Sequence, residues 1–196
     1  MENQSNWPKP RLRYNRIREV HPLTRANEGD AGLDFYIPTN LSVQELRDKN
    51  GNDIPISVNP DNMHVTKIIL PPHSRILIPS GIRVLLEPKN SMLQANNKSG
   101  VATKKGLIFT AQVVDSPYTG EIHIGIVNTN NIYVPIFAGE KLIQFIHVPI
   151  FLTEPEEIDE ILYNSEAENW GTRGAKGFGS SDLKEQYEDE LASRTL

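Results

Sequence analysis

Short apolar segments, separated by Pro, Gly and Asn residues, recur along most of the chain. They cover residues 32–37, 64–70, 75–79, 81–86, 106–114, 121–127, 132–137 and 141–150. Residues 121–126 alternate polar and apolar side chains, as a half-buried strand does. Convincing helical periodicity is scarce. The pattern predicts an all-β domain, a barrel or a sandwich, over residues 1–151.

The chain changes character after residue 151. Residues 152–172 are acidic and lose the strand pattern, so we expect a linker or a short helix there. Residues 173–181 belong to a Gly-rich stretch, and residues 182–196 form a charged tail. The sequence thus predicts one β domain followed by a linker, a Gly-rich arm and a tail.

The composition narrows the function classes. The chain has no cysteine, so disulfides and thiolate metal sites are excluded. A net charge of -5 gives no basic field for a duplex, although local donors could hold a small anion. No apolar run approaches the roughly 18 residues that a membrane span needs. We expect a cytoplasmic protein with no membrane association and no direct nucleic-acid contact.

Two polar side chains stand three residues apart at the end of an apolar run. Asp115 and Tyr118 lie around a turn that contains Pro117 and Gly120. A carboxylate and a phenol so placed are candidates for one site. An aspartate before a proline turn is also a common Asx-turn residue that hydrogen-bonds its own backbone. The residues by themselves leave both interpretations open.

The Gly-rich stretch also has two interpretations. Glycine lets backbone amides approach an anion, Arg173 offers a planar fork for phosphate oxygens, and Phe178 offers a face for a base. If a ligand ordered this segment, it would act as a lid. A flexible linker has the same composition.

Five segments stand out in order along the chain: residues 31–35 (Ala-Gly-Leu-Asp-Phe), 98–107 (Lys-Ser-Gly-Val-Ala-Thr-Lys-Lys-Gly-Leu), 113–120, 139–146 and 173–181. Together they resemble, in the same order, the motifs of the homotrimeric dUTPase family. The resemblance implies a distorted jelly-roll-like β-barrel that assembles as a homotrimer with shared active sites. It also implies hydrolysis of dUTP to dUMP and pyrophosphate, with Mg²⁺ as the cofactor.

The resemblance assigns the chemistry to three residues. Asp115 matches the carboxylate that activates the water attacking the α-phosphorus. Tyr118 matches the tyrosine that stacks under the deoxyribose and leaves no space for a 2′-hydroxyl. Asp34 matches an aspartate that reaches Mg²⁺ through water, while the metal binds mainly phosphate oxygens.

The same resemblance assigns substrate binding to further positions. They are Lys98, Ser99, Gly100, Gln144, Arg173, Phe178, Gly179, Ser180 and Ser181. Uracil would be read by backbone groups of a hairpin formed by Thr110, Ala111, Gln112 and Val113, because cytosine presents a different donor and acceptor pattern. For Gln144, the residues alone also allow an outward strand residue without a partner.

The chain departs from the family pattern in two main places. Lys98 stands where the family usually has arginine, and a lysine is a point charge without the bidentate fork. Residues 41–66 exceed the common length and form either a surface excursion or a protein-binding element. Within them, Asp48 to Asp53 has the composition of a hairpin turn.

Two alternative functions stay open. A dCTP deaminase on the same fold would need a general-base glutamate near the base, and Glu121 is the nearest carboxylate. A dUTPase-like regulatory protein would bind nucleotide, or a partner through residues 41–66, without turnover. The lysine at position 98 favours this second alternative.

Overall fold

The computed structural model describes residues 9–51, 53–171 and 174. The chain divides into two compact units, Met1–Leu152 and Thr153–Leu196. Within the described residues, all strands belong to the first unit, and the second contains one helix. None of the described helices is long and apolar enough to cross a membrane.

Strands dominate the first unit. Its described elements are β1 (Arg11–Arg16), β2 (Leu33–Tyr36), α1 (Val43–Asn50), β3 (Ile56–Val58), β4 (Val65–Leu70), β5 (Arg75–Pro79), β6 (Ile82–Glu87), β7 (Ser91–Asn97), α2 (Ser99–Lys105), β8 (Leu107–Phe109), β9 (Val113–Asp115), β10 (His123–Asn128), β11 (Val134–Phe137) and β12 (Lys141–Pro149). The second unit contains α3 (Glu160–Trp170), in the segment where a linker or a short helix was expected. The predicted all-β class is confirmed.

Each of the eight apolar segments contains a strand, but three strands lie outside them. These are β1, β3 and β7. The sequence of β7, Ser-Met-Leu-Gln-Ala-Asn-Asn, is mostly polar or small, yet the strand pairs with β12 on one side and β9 on the other. Pairing on both edges overrides the weak strand propensity of its asparagines.

Helix α1 corrects the prediction of a hairpin turn at Asp48 to Asp53. Ser42 accepts a hydrogen bond from the Glu45 backbone N–H, and the Glu45 side chain accepts one from the Ser42 N–H. This reciprocal capping box starts a helix at the Ser-Val-Gln-Glu sequence. The helix ends at Gly51, which has a φ of 77° that glycine adopts at little cost.

Residues 41–66 contribute to the core. Leu41 and Leu46 are fully buried. The Asn50 side chain exchanges two hydrogen bonds of 2.7 and 2.8 Å with the backbone of Leu77 in β5. Part of the segment is therefore anchored in the core, while Met63 and its neighbours are exposed.

The strands form antiparallel sheets around one core. The sheet orders are β1-β6, β5-β10-β8, β11-β4-β3 and β2-β12-β7-β9. Fully buried aliphatic side chains from several sheets, such as Ile78, Ile124 and Ile136, meet in one hydrophobic cluster. This burial is the main contribution to stability.

The β2-β12-β7-β9 sheet separates apolar and polar side chains onto its two faces. Phe35 and Phe145 are buried, with ring centroids 4.4 Å apart. Their neighbours Asp34 and Gln144 lie opposite each other in the register of β2 and β12. Because successive side chains point to opposite faces, Asp34 and Gln144 share the face away from the two phenylalanines.

We predict that Leu46→Ala lowers the free energy of unfolding by about 2–4 kcal/mol, because it leaves a cavity under α1. Urea denaturation at fixed protein concentration measures the change. Met63→Ala is the matched control in the same 41–66 segment, since Met63 is 61% exposed. That control should change stability by less than about 0.5 kcal/mol. Equal effects of the two variants would contradict the packing of α1 on the core.

Candidate active site

Asp34 is a buried carboxylate held by two lysines. It is 1% exposed in β2. The Lys98 ammonium donates to Oδ1, and the Lys141 Nζ donates to Oδ2 at 3.0 Å. The Lys98 side chain is 19% exposed and that of Lys141 43% exposed. The positive charge of this cluster therefore lies at the surface, on the partly exposed side chains of the two lysines.

The protonation states in this cluster follow from two opposing effects. Burial by itself would raise the pKa of Asp34, but hydrogen bonds and attraction from Lys98 and Lys141 outweigh it and lower that pKa. The hydrogen bond to Asp34 raises the pKa of Lys141. Both shifts favour the charged forms of Asp34 and Lys141.

Both carboxylate oxygens of Asp34 accept hydrogen bonds from ammonium groups. Among the described residues, no group of three or more His, Asp or Glu side chains could hold a metal ion directly. The expected contact of Asp34 with Mg²⁺ was one through water, and it stays a prediction.

Gln144 has a partner, in contrast to the alternative of an unpaired outward residue. Its Nε2 donates to the Asn97 carbonyl oxygen at 3.1 Å, directly before Lys98. Gly32 permits this position, because a Cβ at residue 32 would lie 2.8 Å from the Gln144 Cβ. The glycine of the first motif thus makes room for the glutamine of the fourth.

Ser99 and Gly100 begin α2, immediately after Lys98. Both are exposed. The Lys98 carbonyl accepts hydrogen bonds from the N–H groups of Val101 and Ala102. The first N–H groups of a helix lack partners within it and attract anions. The structure therefore brings Lys98, Ser99 and Gly100 together with Asp34 and Gln144, as the resemblance implies.

Asp115 is exposed at the end of β9. Its backbone carbonyl accepts a hydrogen bond of 3.0 Å from the Tyr118 N–H, which closes the turn. Its carboxylate accepts no hydrogen bond from any residue that the structure describes, so the Asx-turn alternative is not the observed arrangement. The carboxylate is available to a water molecule or a ligand.

Tyr118 is 45% exposed, and its orientation is fixed. Its Oη donates to the Glu121 carbonyl oxygen at 2.8 Å. The ring lies so close to Gly120 that a Cβ there would be 2.6 Å from Oη. Any residue other than glycine at position 120 would push the ring away. The exposed part of this fixed ring can contact a ligand.

The register separates the two groups of candidate residues. Asp115 lies opposite Met92 in β7, whereas the row containing Asp34 crosses β7 at Asn96. Four residues along a strand correspond to roughly 13 Å, and three strand spacings to roughly 14 Å. Asp115 and Asp34 of one chain are thus roughly 20 Å apart. One chain does not place both in a single pocket.

The predicted uracil-reading hairpin is instead a crossover between two sheets. In the described structure, β8 pairs with β10 and β9 with β7, but β8 and β9 do not pair with each other. Thr110 donates from its N–H to the Gly125 carbonyl, and the Gln112 carbonyl accepts from the Ala95 N–H. Between them, the backbone groups of Ala111 bond to no described residue.

Glu121 is committed to a structural ion pair. Its carboxylate accepts from Arg18 Nε at 2.7 Å and Nη2 at 3.1 Å, and from the Gly81 N–H at 2.8 Å. Burial would raise the pKa of Glu121, but Arg18 and the Gly81 N–H lower it. The oxygens of this carboxylate are therefore occupied and its lowered pKa makes it a weak proton acceptor, which is unsuitable for a general base.

Part of the predicted site cannot be placed. Arg173, Phe178, Gly179, Ser180 and Ser181 lie outside the described residues. Conversely, the sequence analysis did not single out Lys141 and Arg18. Lys141 lies within the fourth motif, whereas Arg18 contacts a residue 103 positions away and carries no local signal.

Known proteins resemble this chain in sequence. The model of the dUTPase family matches residues 61–182. A deoxyuridine 5'-triphosphate nucleotidohydrolase of Clostridium novyi is 31% identical over 161 residues, which cover 81% of this chain and 89% of that protein. The protein of the same name from Wolbachia sp. subsp. Brugia malayi is 34% identical over 87% of this chain and 97% of its own length.

Solved structures show the same fold. The dUTPase of Staphylococcus bacteriophage 80alpha with dUpNHpp has a TM-score of 0.64 at 20% identity and covers 88% of this chain and 99% of its own. The EIAV dUTPase has a TM-score of 0.54 at 22% identity and covers 76% of this chain and 98% of its own. These likenesses confirm the predicted jelly-roll-like all-β class. The sequence matches show that the chain belongs to the dUTPase family.

We predict that Asp34→Asn destabilises the protein at neutral pH by about 3 kcal/mol, because two lysines lose a buried counter-ion. The pKa of Asp34 is lowered from 3.8 in the folded state. Its contribution is therefore fully present above pH 3.8 and is lost as the pH falls through the lowered pKa. As the pH falls through that lowered pKa, the free energies of unfolding of wild type and variant should converge. Urea denaturation at fixed protein concentration measures them.

The control for this series is Asp61→Asn, which removes an exposed carboxylate from a turn. It should match wild type within about 0.5 kcal/mol at neutral pH. A difference between wild type and Asp34→Asn that stays constant with decreasing pH would contradict the role of the ionised carboxylate.

Proposed function

We propose that this protein hydrolyses dUTP to dUMP and pyrophosphate. Membership of the dUTPase family supports this activity. The observation that carries the mechanism is the exposed Asp115 on the same closed turn as Tyr118, whose hydroxyl is held by the Glu121 carbonyl. An exposed carboxylate and an aromatic ring on one turn suit the activation of a water molecule at a nucleotide.

Asp115 is the proposed general base. It would accept a hydrogen bond from a water molecule and aim that water at the α-phosphorus, with pyrophosphate as the leaving group. Its exposure and the absence of a bond from the described residues support this role. Tyr118 would stack under the deoxyribose, where a ribose 2′-hydroxyl would clash with the ring.

The cation cluster around Asp34 is the proposed site of the phosphate chain. An ammonium group has three N–H donors, so Lys98 and Lys141 can each bond to Asp34 and still donate to phosphate oxygens. Ser99 and Gln144 would add neutral donors. In this arrangement Lys98 can replace the usual arginine, because the site would need a positive charge in a defined position more than the bidentate geometry of a guanidinium group.

Uracil recognition is proposed for the crossover that contains Ala111. An amide N–H and a carbonyl there could pair with the uracil edge. Cytosine would leave buried polar groups unpaired, which is costly. Thr110, Gln112 and Val113 would hold the crossover between β10 and β7.

Mg²⁺ is the proposed cofactor, because the family generally depends on it. The described residues offer no dedicated ligand cluster. Mg²⁺ commonly binds substrate phosphates together with water. When bound to the triphosphate, it would neutralise charge on the phosphate oxygens.

The separation of the two residue groups supports a site shared between chains. Asp115 and Tyr118 of one subunit would face the lysine cluster of another, in a homotrimer. The Gly-rich arm, residues 173–181, would come from the third subunit, after a linker of residues 152–172 and before a tail of residues 182–196. Activity on free nucleotides in a chain without cysteine fits the cytoplasm, which is the proposed location.

The alternatives have less support. A deaminase would need Glu121 as a base, but Arg18 and the Gly81 N–H occupy the oxygens of this carboxylate and lower its pKa, which makes it a weak base. A partner-binding role for residues 41–66 was suggested by their extra length. Leu41 and Leu46 of this segment are buried in the core, so their apolar surface is not offered to a partner.

The first experiment measures pyrophosphate release from dUTP, dCTP, dTTP and UTP with Mg²⁺. We expect release from dUTP only. Asp115→Asn should lower kcat by about 10²–10⁴-fold, the usual contribution of a general base, while dUTP still binds. Asp61→Asn is the matched control and should retain full activity. Ammonia from dCTP would favour the deaminase, and binding of dUTP without turnover would favour the regulatory protein.

The shared site predicts complementation between inactive variants. Asp115→Asn and a chain lacking residues 173–196 should each be inactive alone. After unfolding and refolding together in equal amounts, about a quarter of the sites would combine an intact Asp115 with an intact arm. Pyrophosphate assays should therefore recover partial activity. If verified mixed trimers recovered no pyrophosphate release, the shared-site arrangement would be contradicted.

A further inference from the structure

Arg18 joins two distant parts of the first unit. Its Nε and Nη2 bind the Glu121 carboxylate, at 2.7 and 3.1 Å, and its Nη1 binds Glu45 Oε1 at 2.6 Å. The side chains of Arg18 and Glu121 are only 17% and 13% exposed. A bidentate pair so shielded from solvent is much more rigid than an exposed one.

The Glu121 residue at the end of this pair also holds Tyr118. Its carbonyl oxygen accepts a hydrogen bond of 2.8 Å from the Tyr118 hydroxyl and lies 2.9 Å from Nδ1 of His123. Its carboxylate accepts from the Gly81 N–H as well. Glu121 therefore cannot shift without moving the tyrosine hydroxyl, and Arg18 is its main charged partner.

The other end of the connection is α1. Glu45 is the third residue of that helix and completes the capping box with Ser42. The same carboxylate thus starts the helix and binds Arg18. Leu46 fixes α1 to the core through its burial. Residues 41–66 consequently support the guanidinium that holds the tyrosine turn.

We propose that Arg18 is a positioning residue for Tyr118, and that the Glu45–Arg18–Glu121 chain sets the height of the tyrosine ring beneath the sugar. Discrimination between deoxyribose and ribose depends on that height, because a 2′-hydroxyl is excluded by close contact. The inference rests on the proposed function. It gives residues 41–66 a role in substrate selectivity.

The test compares kcat/KM for dUTP and UTP in Arg18→Met, Arg18→Lys and wild type. Arg18→Met should lower the preference for dUTP by about fivefold to tenfold, the factor expected for one lost hydrogen bond. Arg18→Lys keeps the charge but not the bidentate geometry, and should lie between the two. The lower preference should arise from an increase in kcat/KM for UTP. Arg13→Met, which breaks an exposed pair with Glu87, is the matched control and should leave the preference unchanged.

Two further variants test whether Arg18 affects the preference for dUTP through Glu45 and Tyr118. Glu45→Gln should cause a smaller loss of preference, because Glu121 keeps its bond to Arg18. Tyr118→Phe removes the hydroxyl that Glu121 holds, so Arg18→Met should add little to it. A preference that is unchanged in Arg18→Met, or additive losses in the double variant, would overturn the proposal.

Folding and function are monitored separately. Thermal unfolding checks each variant, and if Arg18→Met does not fold, Arg18→Lys and Glu45→Gln carry the test. A wild type that releases no pyrophosphate from dUTP would contradict the proposed function alone. The ratio of dUTP and UTP dissociation constants, measured by calorimetry in the same variants, would then replace the kinetic ratio. An unchanged ratio would again overturn the positioning role.

Discussion

The pairing of β12 with β2 on one side and β7 on the other is the constraint on which the rest of the site depends. It places Gln144 opposite both Asp34 and Asn96. A shift of one residue would turn Asp34 toward the core and Phe145 toward solvent, since neighbouring side chains point to opposite faces. The Phe35 and Phe145 rings, which pack against each other at a tilt of 49°, therefore help to hold the polar row in place.

The same register separates the two groups of candidate residues within one chain. The lysine cluster lies at one position along β7 and Asp115 at another, on the far strand of the sheet. A paired sheet does not bend enough to close this gap. In the proposed shared site, association of subunits would therefore be part of the chemistry, because the pocket would form only where surfaces of different chains meet.

Local patterns were sufficient to predict much of the fold. Alternation and turn residues located eight strand segments, and the all-β class followed. Strand β7 was missed because its polar residues are stabilised by neighbours on both edges. Helix α1 was missed although its Ser42–Glu45 capping box is visible in the sequence. There, the Asn- and Gly-rich end of the helix resembled a turn.

The site was predictable only as far as the motifs reach. Motif order indicated Asp34, Lys98 and Gln144, and the structure brings them together. Which partner each one has depends on contacts across the fold: Lys98 meets a carboxylate 64 residues away, and Arg18 one 103 residues away. Such pairs are fixed by strand register and not by spacing along the chain. The role of Arg18 therefore could not be read from its own neighbours.

The sharing of Asp34 by two lysines has a consequence for the charge of this surface. One negative and two positive groups leave a single excess positive charge. The carboxylate thus reduces the repulsion between the two cations. Because Asp34 also orients the ammonium groups, a polyanion at the proposed phosphate site would meet donors that need little reorganisation.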